Sequence, residues 1–500
     1  MKPTFQPYPL GHSINGSPHS VCVSLPTMAD VIGYEEKDPR VLEAFTAGYP
    51  RFFRNPLIAE LASHLSREGI MNEEDPLLPT QSAAVDLCHY LDLNPECAAP
   101  VLSLWTVRLP EGQDIRLAAR AFLQHTGCGI SSREAETLLE QHFGHAPHPE
   151  DRAPGHPEEH LAYIRSRLHS IYGTLVESDI HIFRSGMNAF YSGFRAIQAV
   201  QLERKRDLWI QLGWLYVDTS RILEKFSLQG AAPVQIYNVM DLSELEDVLH
   251  REGHRVAGIV TEVPTNPLVQ TPDVEALREL ADKYRAALIL DPTLVSPHNV
   301  NILSYSDLHI NSLTKYAASS ADVMMGAIAL NGQSRFYDDL REKVAAFGTA
   351  PASGDLARMA LQIQNYPETI KAINATTVEV AAFLEKHPGV KQLYWARSQP
   401  SAYNYNWLQH LESGPGGILT FTTHKPLREF YDRCNFVKSP SFGTRFTMMC
   451  PFMYLAHYDL VSTPQGRDIL LGHGVDPDLI RLSIGLEPAG AIISELERTL

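Results

Sequence analysis

Apolar runs and amphipathic stretches alternate along the middle of the chain, between residues 176 and 355. The apolar runs lie at 209–214, 256–260, 286–290 and 308–310, and stretches with apolar residues at helical spacing lie at 187–204, 241–252 and 272–285. A short, continuous apolar run is typical of a strand that is buried on both faces. Strands that alternate with helices form mainly parallel sheets covered by helices on both sides. The pattern therefore predicts an α/β domain at 176–355.

The rest of the chain divides into three further segments. Residues 1–59 are rich in Pro, Gly and His and show little helical periodicity before about residue 40, so we expect an extended N-terminal arm. Residues 60–175 are expected to be a largely helical insertion, with helical patterns at 57–68, 81–92, 114–125 and 132–143. Residues 356–500 begin with a long helical stretch and carry a strand signal at 418–423, which predicts a smaller C-terminal α+β domain.

Composition and charge exclude several classes of protein. The 500 residues include 44% hydrophobic and 20% charged residues, as in ordinary globular proteins. A formal net charge of −16 argues against a nucleic-acid or anionic-membrane partner, because both require a basic surface. No apolar run approaches the ~20 residues of a membrane span. The N-terminus lacks a signal-peptide core, and the six cysteines have no paired spacing, so we expect a cytoplasmic protein with reduced thiols.

Five histidines lie close together between residues 142 and 160: His142, His145, His148, His156 and His160. Histidine clusters can bind a metal ion. Here the spacing is irregular, proline interrupts it and no cysteine joins it. We therefore expect a solvated loop and no metal site.

Lys315 and Asp291 are the most informative residues for chemistry. Asp291 ends an apolar run, and Lys315 follows a second short run within Asn-Ser-Leu-Thr-Lys-Tyr. A lysine flanked by small hydroxyl residues, together with a strand-end carboxylate, is what a pyridoxal phosphate site needs. The amine binds the cofactor covalently, the hydroxyls bind its phosphate and the carboxylate keeps the ring nitrogen protonated. Taken alone, the same pattern is also compatible with a surface lysine and a loop aspartate.

Further blocks occur in a fixed order around this pair. They are Tyr49-Pro50-Arg51, Arg184-Ser-Gly-Met187, Glu262-Val-Pro-Thr-Asn-Pro267, Ser441-Phe-Gly443 and Arg481-Leu-Ser-Ile-Gly-Leu-Glu487. In this order the chain resembles the Cys/Met-metabolism family of pyridoxal phosphate enzymes, and within it cystathionine γ-synthase most closely. The resemblance covers residues 176–330 and 414–500, with a separate match near residue 50. It implies a fold-type-I transferase fold with a mainly parallel sheet of the seven-stranded type.

The resemblance also implies how the cofactor is held. Lys315 matches the lysine that binds the cofactor covalently, and Asp291 matches the partner of the pyridine nitrogen. Asn266 matches the residue that binds the phenolic oxygen of the ring, although asparagine before proline is also a common turn residue. Tyr216 matches the tyrosine that stacks on the ring and assists proton transfer; the alternative is a core aromatic. The implied phosphate ligands are the amides of Gly186 and Met187 and the hydroxyls of Ser312 and Thr314.

Arg481 and Ser441 are the residues that the resemblance assigns to the substrate. Arg481 matches an arginine that forms a bidentate fork with the α-carboxylate of an amino acid, and Ser441 matches a serine that lies beside that carboxylate. The chain departs from the family in several blocks near the site. Thr444-Arg-Phe446 replaces Glu-Ser-Leu, and Tyr216-Val-Asp-Thr219 replaces Tyr-Gly-Gly-Thr.

Tyr49 and Arg51 match residues that reach the phosphate of a neighbouring subunit in the family. The resemblance therefore implies a homo-oligomer, a dimer of dimers, in which two chains share each site. Its expected reaction is γ-replacement on an O-acylhomoserine by cysteine or another thiol. γ- or β-elimination on cystathionine, methionine or a related amino acid uses the same cofactor residues. A non-catalytic binding protein remains the rival from another class, which the intact Lys315 and Asp291 disfavour.

Overall fold

The computed structural model describes residues 5–49, 52–228 and 232–500. In the N-terminal third of the chain the elements are α1 (Met28–Glu35), α2 (Pro39–Leu42), α3 (Pro56–Arg67), β1 (Leu77–Leu78), α4 (Gln81–Tyr90), β2 (Ala98–Val101), β3 (Leu104–Val107), α5 (Gln113–Thr126), α6 (Ser132–Phe143) and α7 (Pro157–Tyr172). The extended arm that we predicted contains a helix, α1, which the sequence pattern missed. Thr27 and Asp30 begin this helix with a reciprocal capping box, which stabilises a helix too short to show clear periodicity.

The segment 60–175 contains a small sheet besides its helices. Strands β1, β3 and β2 pair antiparallel in that order. None of them exceeds four residues, so their apolar alternation is too short to be recognised in the sequence. Helices α3 and α6 enclose one apolar core beside this sheet, and α4 and α5 enclose a second one.

A larger sheet occupies the middle of the chain. Its elements are β4 (Ile180–Phe183), α8 (Gly186–Leu202), β5 (Leu208–Leu212), α9 (Val217–Phe226), β6 (Val234–Ile236), α10 (Ser243–Glu252), β7 (Val256–Glu262), α11 (Val274–Tyr284), β8 (Ala287–Asp291), β9 (Leu308–Ser312), β10 (Gly326–Leu330) and α12 (Tyr337–Lys343). The seven strands follow the order β4-β10-β9-β8-β7-β5-β6. Strand β10 is antiparallel to both of its neighbours, and the other pairs are parallel. The predicted mainly parallel sheet is confirmed.

The C-terminal part forms a second, smaller sheet with helices. Its elements are α13 (Ser353–Gln362), α14 (Tyr366–Leu384), β11 (Val390–Tyr394), α15 (Ala402–Leu408), β12 (Ile418–Thr423), α16 (Leu427–Arg433), β13 (Val437–Lys438), β14 (Met448–Pro451), α17 (Phe452–Ala456), α18 (Tyr458–Val461), α19 (Pro464–Gly472), β15 (Ile480–Ser483) and α20 (Ala489–Thr499). The strand order is β11-β12-β15-β14-β13, and only the β13–β14 pair is parallel. This agrees with the predicted α+β domain.

The N-terminal arm packs against its own chain. The backbone N–H of Val21 donates to the carbonyl of Ala321 at 2.8 Å, and that of Leu25 donates to the carbonyl of Lys438 at 2.9 Å. The Tyr431 hydroxyl in turn donates to the Leu25 carbonyl at 2.8 Å. These bonds bring the arm beside the loop that carries Lys315.

The described residues contain neither a membrane-spanning helix nor a metal-binding cluster of side chains. None of their helices has the length and apolar character that crossing a membrane requires. Within the same residues, no three or more His, Cys, Asp or Glu side chains gather as a metal-binding group. His160, which we expected in a solvated loop, is instead buried in α7, where its Nε2 lies 3.2 Å from the Pro154 carbonyl.

Candidate active site

Two acidic residues end adjacent parallel strands. Glu262 is the last residue of β7 and Asp291 the last of β8, and the two are register partners. In α/β sheets, ligands bind outside the carboxyl ends of the strands. Ser312 ends the next strand, β9, so three polar residues meet at one edge of the sheet.

Burial changes the acidity of both carboxyl groups. For Asp291, burial raises the pKa from 3.8 to about 6, against the opposing effects of hydrogen bonds from Thr293 and the charge of Lys315. The Thr293 backbone N–H donates to Asp291 Oδ1 at 2.8 Å. For Glu262, burial and then the neighbouring charge of Asp291 raise the pKa from 4.5 to about 8. A cationic group bound between these carboxyls would stabilise their charged forms.

Lys315 lies in the turn after β9 and reaches two hydroxyl groups. Its Nζ donates to Tyr49 Oη at 2.7 Å and to Ser441 Oγ at 3.1 Å. The amine also lies 4.9 Å from the centre of the Phe442 ring. Gly443 allows this loop to approach, because a Cβ there would lie 2.9 Å from the Tyr316 backbone nitrogen. The structure thus brings Lys315, Tyr49 and Ser441 together.

Gly186 and Ser312 form a cradle at the start of α8. Ser185 caps this helix by accepting a hydrogen bond from the Asn188 backbone N–H at 3.0 Å. A Cβ on Gly186 would lie 2.7 Å from the side chain of Ser312, so only glycine leaves room between the turn and the strand end. Helix N-termini offer free N–H groups and a positive dipole end, which bind phosphate.

The other two predicted phosphate ligands are placed differently. The Met187 side chain is buried in the core, although its amide belongs to the first turn of α8. The Thr314 hydroxyl is held within its own loop, donating to the Met325 carbonyl at 3.3 Å and accepting from the Met325 N–H at 3.1 Å. Their roles toward phosphate stay predictions.

Arg481 lies on β15 between two aromatic rings. Its guanidinium carbon is 5.0 Å from the Phe442 ring centre and 4.8 Å from that of Phe452. Nη1 donates to Asn266 Oδ1 at 3.4 Å and Nη2 to the Pro440 carbonyl at 2.7 Å. Its Nε is buried and has no hydrogen-bond partner among the described residues. A buried, unpaired N–H of a cation favours an anionic ligand.

Tyr216 and Asn266 lie beside the acidic pair. Tyr216 precedes α9, and its backbone N–H donates to Glu262 Oε1 at 2.5 Å. Asn266 is only 4% exposed and contacts Arg481. Both therefore belong to the same site as Asp291. Arg51, the remaining predicted ligand, lies outside the described residues.

Tyr49 lies in the site of its own chain, where its hydroxyl contacts Lys315. The packing of the arm places it there: the Gly48 backbone N–H donates to the Ser20 carbonyl, and the N–H groups of Val21 and Leu25 donate to the carbonyls of Ala321 and Lys438. That Tyr49 and Arg51 serve a neighbouring subunit stays a prediction.

Two residues of the site were missed in the sequence. Glu262 had a signal in the sequence, because it is a second acidic residue that follows an apolar run, separated by one residue from the Pro-Thr-Asn-Pro block. Phe442 had a local signal as well, since it lies between Ser441 and Gly443, but its contact with both cations depends on the tertiary fold.

The residues present fit pyridoxal phosphate. The Gly186–Ser312 cradle at the start of α8 suits the phosphate, and the strand-end carboxylate of Asp291 suits the ring nitrogen. Lys315, the candidate for the covalent link, lies close enough to Asp291 for its charge to act on that carboxyl.

Three comparisons with known proteins show what the chain is similar to. Residues 145–500 match the family described as "Cys/Met metabolism PLP-dependent enzyme". The chain is 39% identical to the L-2-amino-4-chloropent-4-enoate dechlorinase/desaturase of Streptantibioticus cattleyicolor, over 95% of this chain and 94% of that protein. It is 28% identical to cystathionine gamma-synthase of Neurospora crassa, over 99% and 98% of the two chains.

Solved structures show the same fold. Cystathionine gamma synthase from Xanthomonas oryzae superposes with a TM-score of 0.57 at 20% identity, covering 69% of this chain and 85% of that one. A cystathionine gamma-lyase from Micromonospora echinospora gives 0.56, covering 67% and 84%. The fold is the fold-type-I arrangement. With its family pattern, relatives and site in agreement, the chain belongs to the Cys/Met-metabolism family of enzymes, whose cofactor is pyridoxal phosphate.

Proposed function

We propose that the enzyme removes a substituent from Cγ of an α-amino acid and replaces it with a thiol, with an O-acylhomoserine as donor and cysteine as acceptor. The observation that carries this proposal is that Lys315 and Arg481 contact the same ring, that of Phe442. The Lys315 Nζ lies 4.9 Å from the ring centre and the Arg481 guanidinium carbon lies 5.0 Å from it. A carboxylate bound by Arg481 would bring the adjacent Cα near the Lys315 amine. This arrangement suits proton removal from an amino acid.

Each residue has a defined part in this reaction. Pyridoxal phosphate, when bound, supplies the electron sink that makes the Cα proton acidic. Arg481 fixes the carboxylate and thereby the orientation of the substrate. Lys315 Nζ takes the proton from Cα and gives it up before it takes one from Cβ. The group on Cγ then leaves with its bonding electrons, the thiol sulfur bonds to Cγ, and protons return to Cβ and Cα. Tyr49 Oη, 2.7 Å from Nζ, is placed to exchange a proton with the amine.

Replacement by thiol has the support of the relatives named cystathionine gamma-synthase, which align over nearly the whole chain. In this form the enzyme would act in trans-sulfuration toward methionine, in the cytoplasm and as a homotetramer. Elimination from cystathionine, methionine or a related amino acid is the corresponding lyase reaction.

A second candidate has its own observation. The relative at 39% identity is named for an amino acid with chlorine on C4, which is the γ-carbon. The acyl oxygen of an O-acylhomoserine is bonded to the same carbon. Loss of chloride from a γ-chloro amino acid therefore needs the same removal of protons at Cα and Cβ, but no thiol.

A donor screen separates these reactions. Purified holoenzyme is incubated with an O-acylhomoserine with and without cysteine, with cystathionine or methionine, and with L-2-amino-4-chloropent-4-enoate. Lys315→Ala protein serves as control. Thioether formed faster than ketoacid supports replacement. Rapid ketoacid release from cystathionine or methionine without any thioether contradicts it and indicates a lyase, and chloride release alone indicates the second candidate.

A further inference from the structure

The last turn of α5 lies against the start of α8. We call residues 124–127 the brace turn. The Ser185 hydroxyl donates to the Gly127 carbonyl at 3.0 Å, and Asn188 Nδ2 donates to the Thr126 carbonyl at 3.2 Å. Gly127 has a φ of +61°, and a Cβ there would lie 2.2 Å from Ser185 Oγ. The brace turn therefore contacts the cap residue beside the Gly186 cradle directly.

The same turn also holds the first turn of α9, which follows Tyr216. His125 Nδ1 lies 3.0 Å from Asp218 Oδ1, and Gln124 Nε2 donates to the same oxygen at 3.0 Å. Lys225 Nζ lies 3.2 Å from His125 Nε2. Because an ammonium group can only donate, Nε2 is the acceptor in this contact. The other ring nitrogen, Nδ1, therefore carries the hydrogen and donates it to Asp218. Asp218 is completely buried. A buried carboxylate without such partners would be strongly unfavourable.

Asp218 lies in the block Tyr216-Val-Asp-Thr219, two residues after Tyr216. Its partners His125 and Gln124 both come from segment 60–175. This segment thus supplies the side chains that hold the carboxylate beside Tyr216.

We infer that the brace turn fixes the positions of the Ser185–Gly186 turn and of the Tyr216 turn, which lie on two sides of the cofactor site. The buried His125–Asp218 contact connects the brace turn to the Tyr216 turn. The role of segment 60–175 is then partly to build the wall of this site. His125 and Asp218 act through Tyr216 and are positioning residues. The inference does not depend on which γ-substituted substrate is used.

Cofactor affinity of the apoprotein provides the first test. Each variant removes a hydrogen bond to a charged group, so His125→Ala and Asp218→Asn should each weaken pyridoxal phosphate binding by about tenfold or more. The double variant should be little worse than either single one, because the two residues form one contact. His125→Asn, which keeps a donor, should recover part of the affinity.

The matched control is Asp179→Asn. Asp179 is also a completely buried carboxylate, bound by the Tyr337 hydroxyl at 2.6 Å, and it lies before β4, away from the cofactor residues. The Asp179→Asn variant should have lower thermal stability but unchanged cofactor affinity and unchanged visible circular dichroism of the bound cofactor. The Asp218→Asn and His125→Ala variants should change both the cofactor affinity and the dichroism.

Three results would overturn the inference. The first is that cofactor affinity and visible dichroism are unchanged in both Asp218→Asn and His125→Ala. The second is that Asp179→Asn loses as much cofactor affinity as these two variants. The third is that His125→Asn and His125→Ala bind the cofactor with the same affinity. If Asp218→Asn fails to fold, the two His125 variants decide the question, since they leave the carboxylate and the backbone of α9 intact.

Discussion

Glu262 and Asp291 make the apoprotein sensitive to pH. Burial raises the pKa of Glu262 from 4.5 to about 8, so the folded state binds a proton that the unfolded state has already released. The stabilisation is fully present below about pH 4.5 and is lost as the pH rises toward 8. We expect the free energy of unfolding of apoprotein to fall with rising pH across this window. Glu262→Gln should flatten the dependence in denaturant titrations; an equal slope in both proteins would contradict the assignment.

Arg481 should serve every amino-acid substrate alike. Charge-assisted hydrogen bonds are worth about 1.5–3 kcal/mol each, so Arg481→Ala should lower kcat/KM by a factor on the order of 10² or more. Arg481→Lys should recover little, because an ammonium cannot reproduce the planar fork that stacks between Phe442 and Phe452. Steady-state kinetics with two different donors check this. A large loss with one donor and none with the other would assign Arg481 to side-chain selectivity instead.

At the scale of elements, the start of α8 should tolerate no added side chain. Gly186→Ala places a Cβ 2.7 Å from Ser312, so the turn or the strand end must shift and the cradle narrows. We expect weaker binding of pyridoxal phosphate by apoprotein. Gly490→Ala is the control, since it also lies in the first turn of a helix but has open space around its Cβ position. Equal cofactor affinity in the two variants would argue against a phosphate cradle here.

The sequence predicts elements well where the apolar pattern is long. Helices at 81–92, 114–125 and 132–143 and the strand at 418–423 agree with α4, α5, α6 and β12 within a few residues. Helix α1 and strands β2 and β3 were missed, because eight residues or fewer give too little periodicity and capping or pairing stabilises them instead. Lys315 and Asp291 were recognisable because each has a local pattern. The contacts of His125 with Asp218 and of Tyr49 with Lys315 join residues far apart in sequence, so no local pattern reveals them.

For the whole molecule, the arm decides whether one chain can complete a site. Within one chain Tyr49 contacts Lys315, whereas the sequence resemblance assigns Tyr49 to a neighbouring subunit. If the contact within the chain is the functional one, mixing Tyr49→Phe with Lys315→Ala chains gives no site with both residues intact. We expect no recovery of activity after verified subunit exchange, beyond the residual activity of each parent. Recovery approaching half of the wild-type activity would show that Tyr49 crosses to a neighbour.

The central claim is that Lys315 carries the cofactor. Borohydride reduction of holoenzyme, followed by proteolysis and mass spectrometry, fixes the cofactor to the lysine that holds it and identifies the peptide. The account predicts a single modified peptide containing Lys315, and no modified peptide from Lys315→Ala protein treated in the same way. Modification of another lysine in the wild type, with Lys315 unmodified, would contradict it.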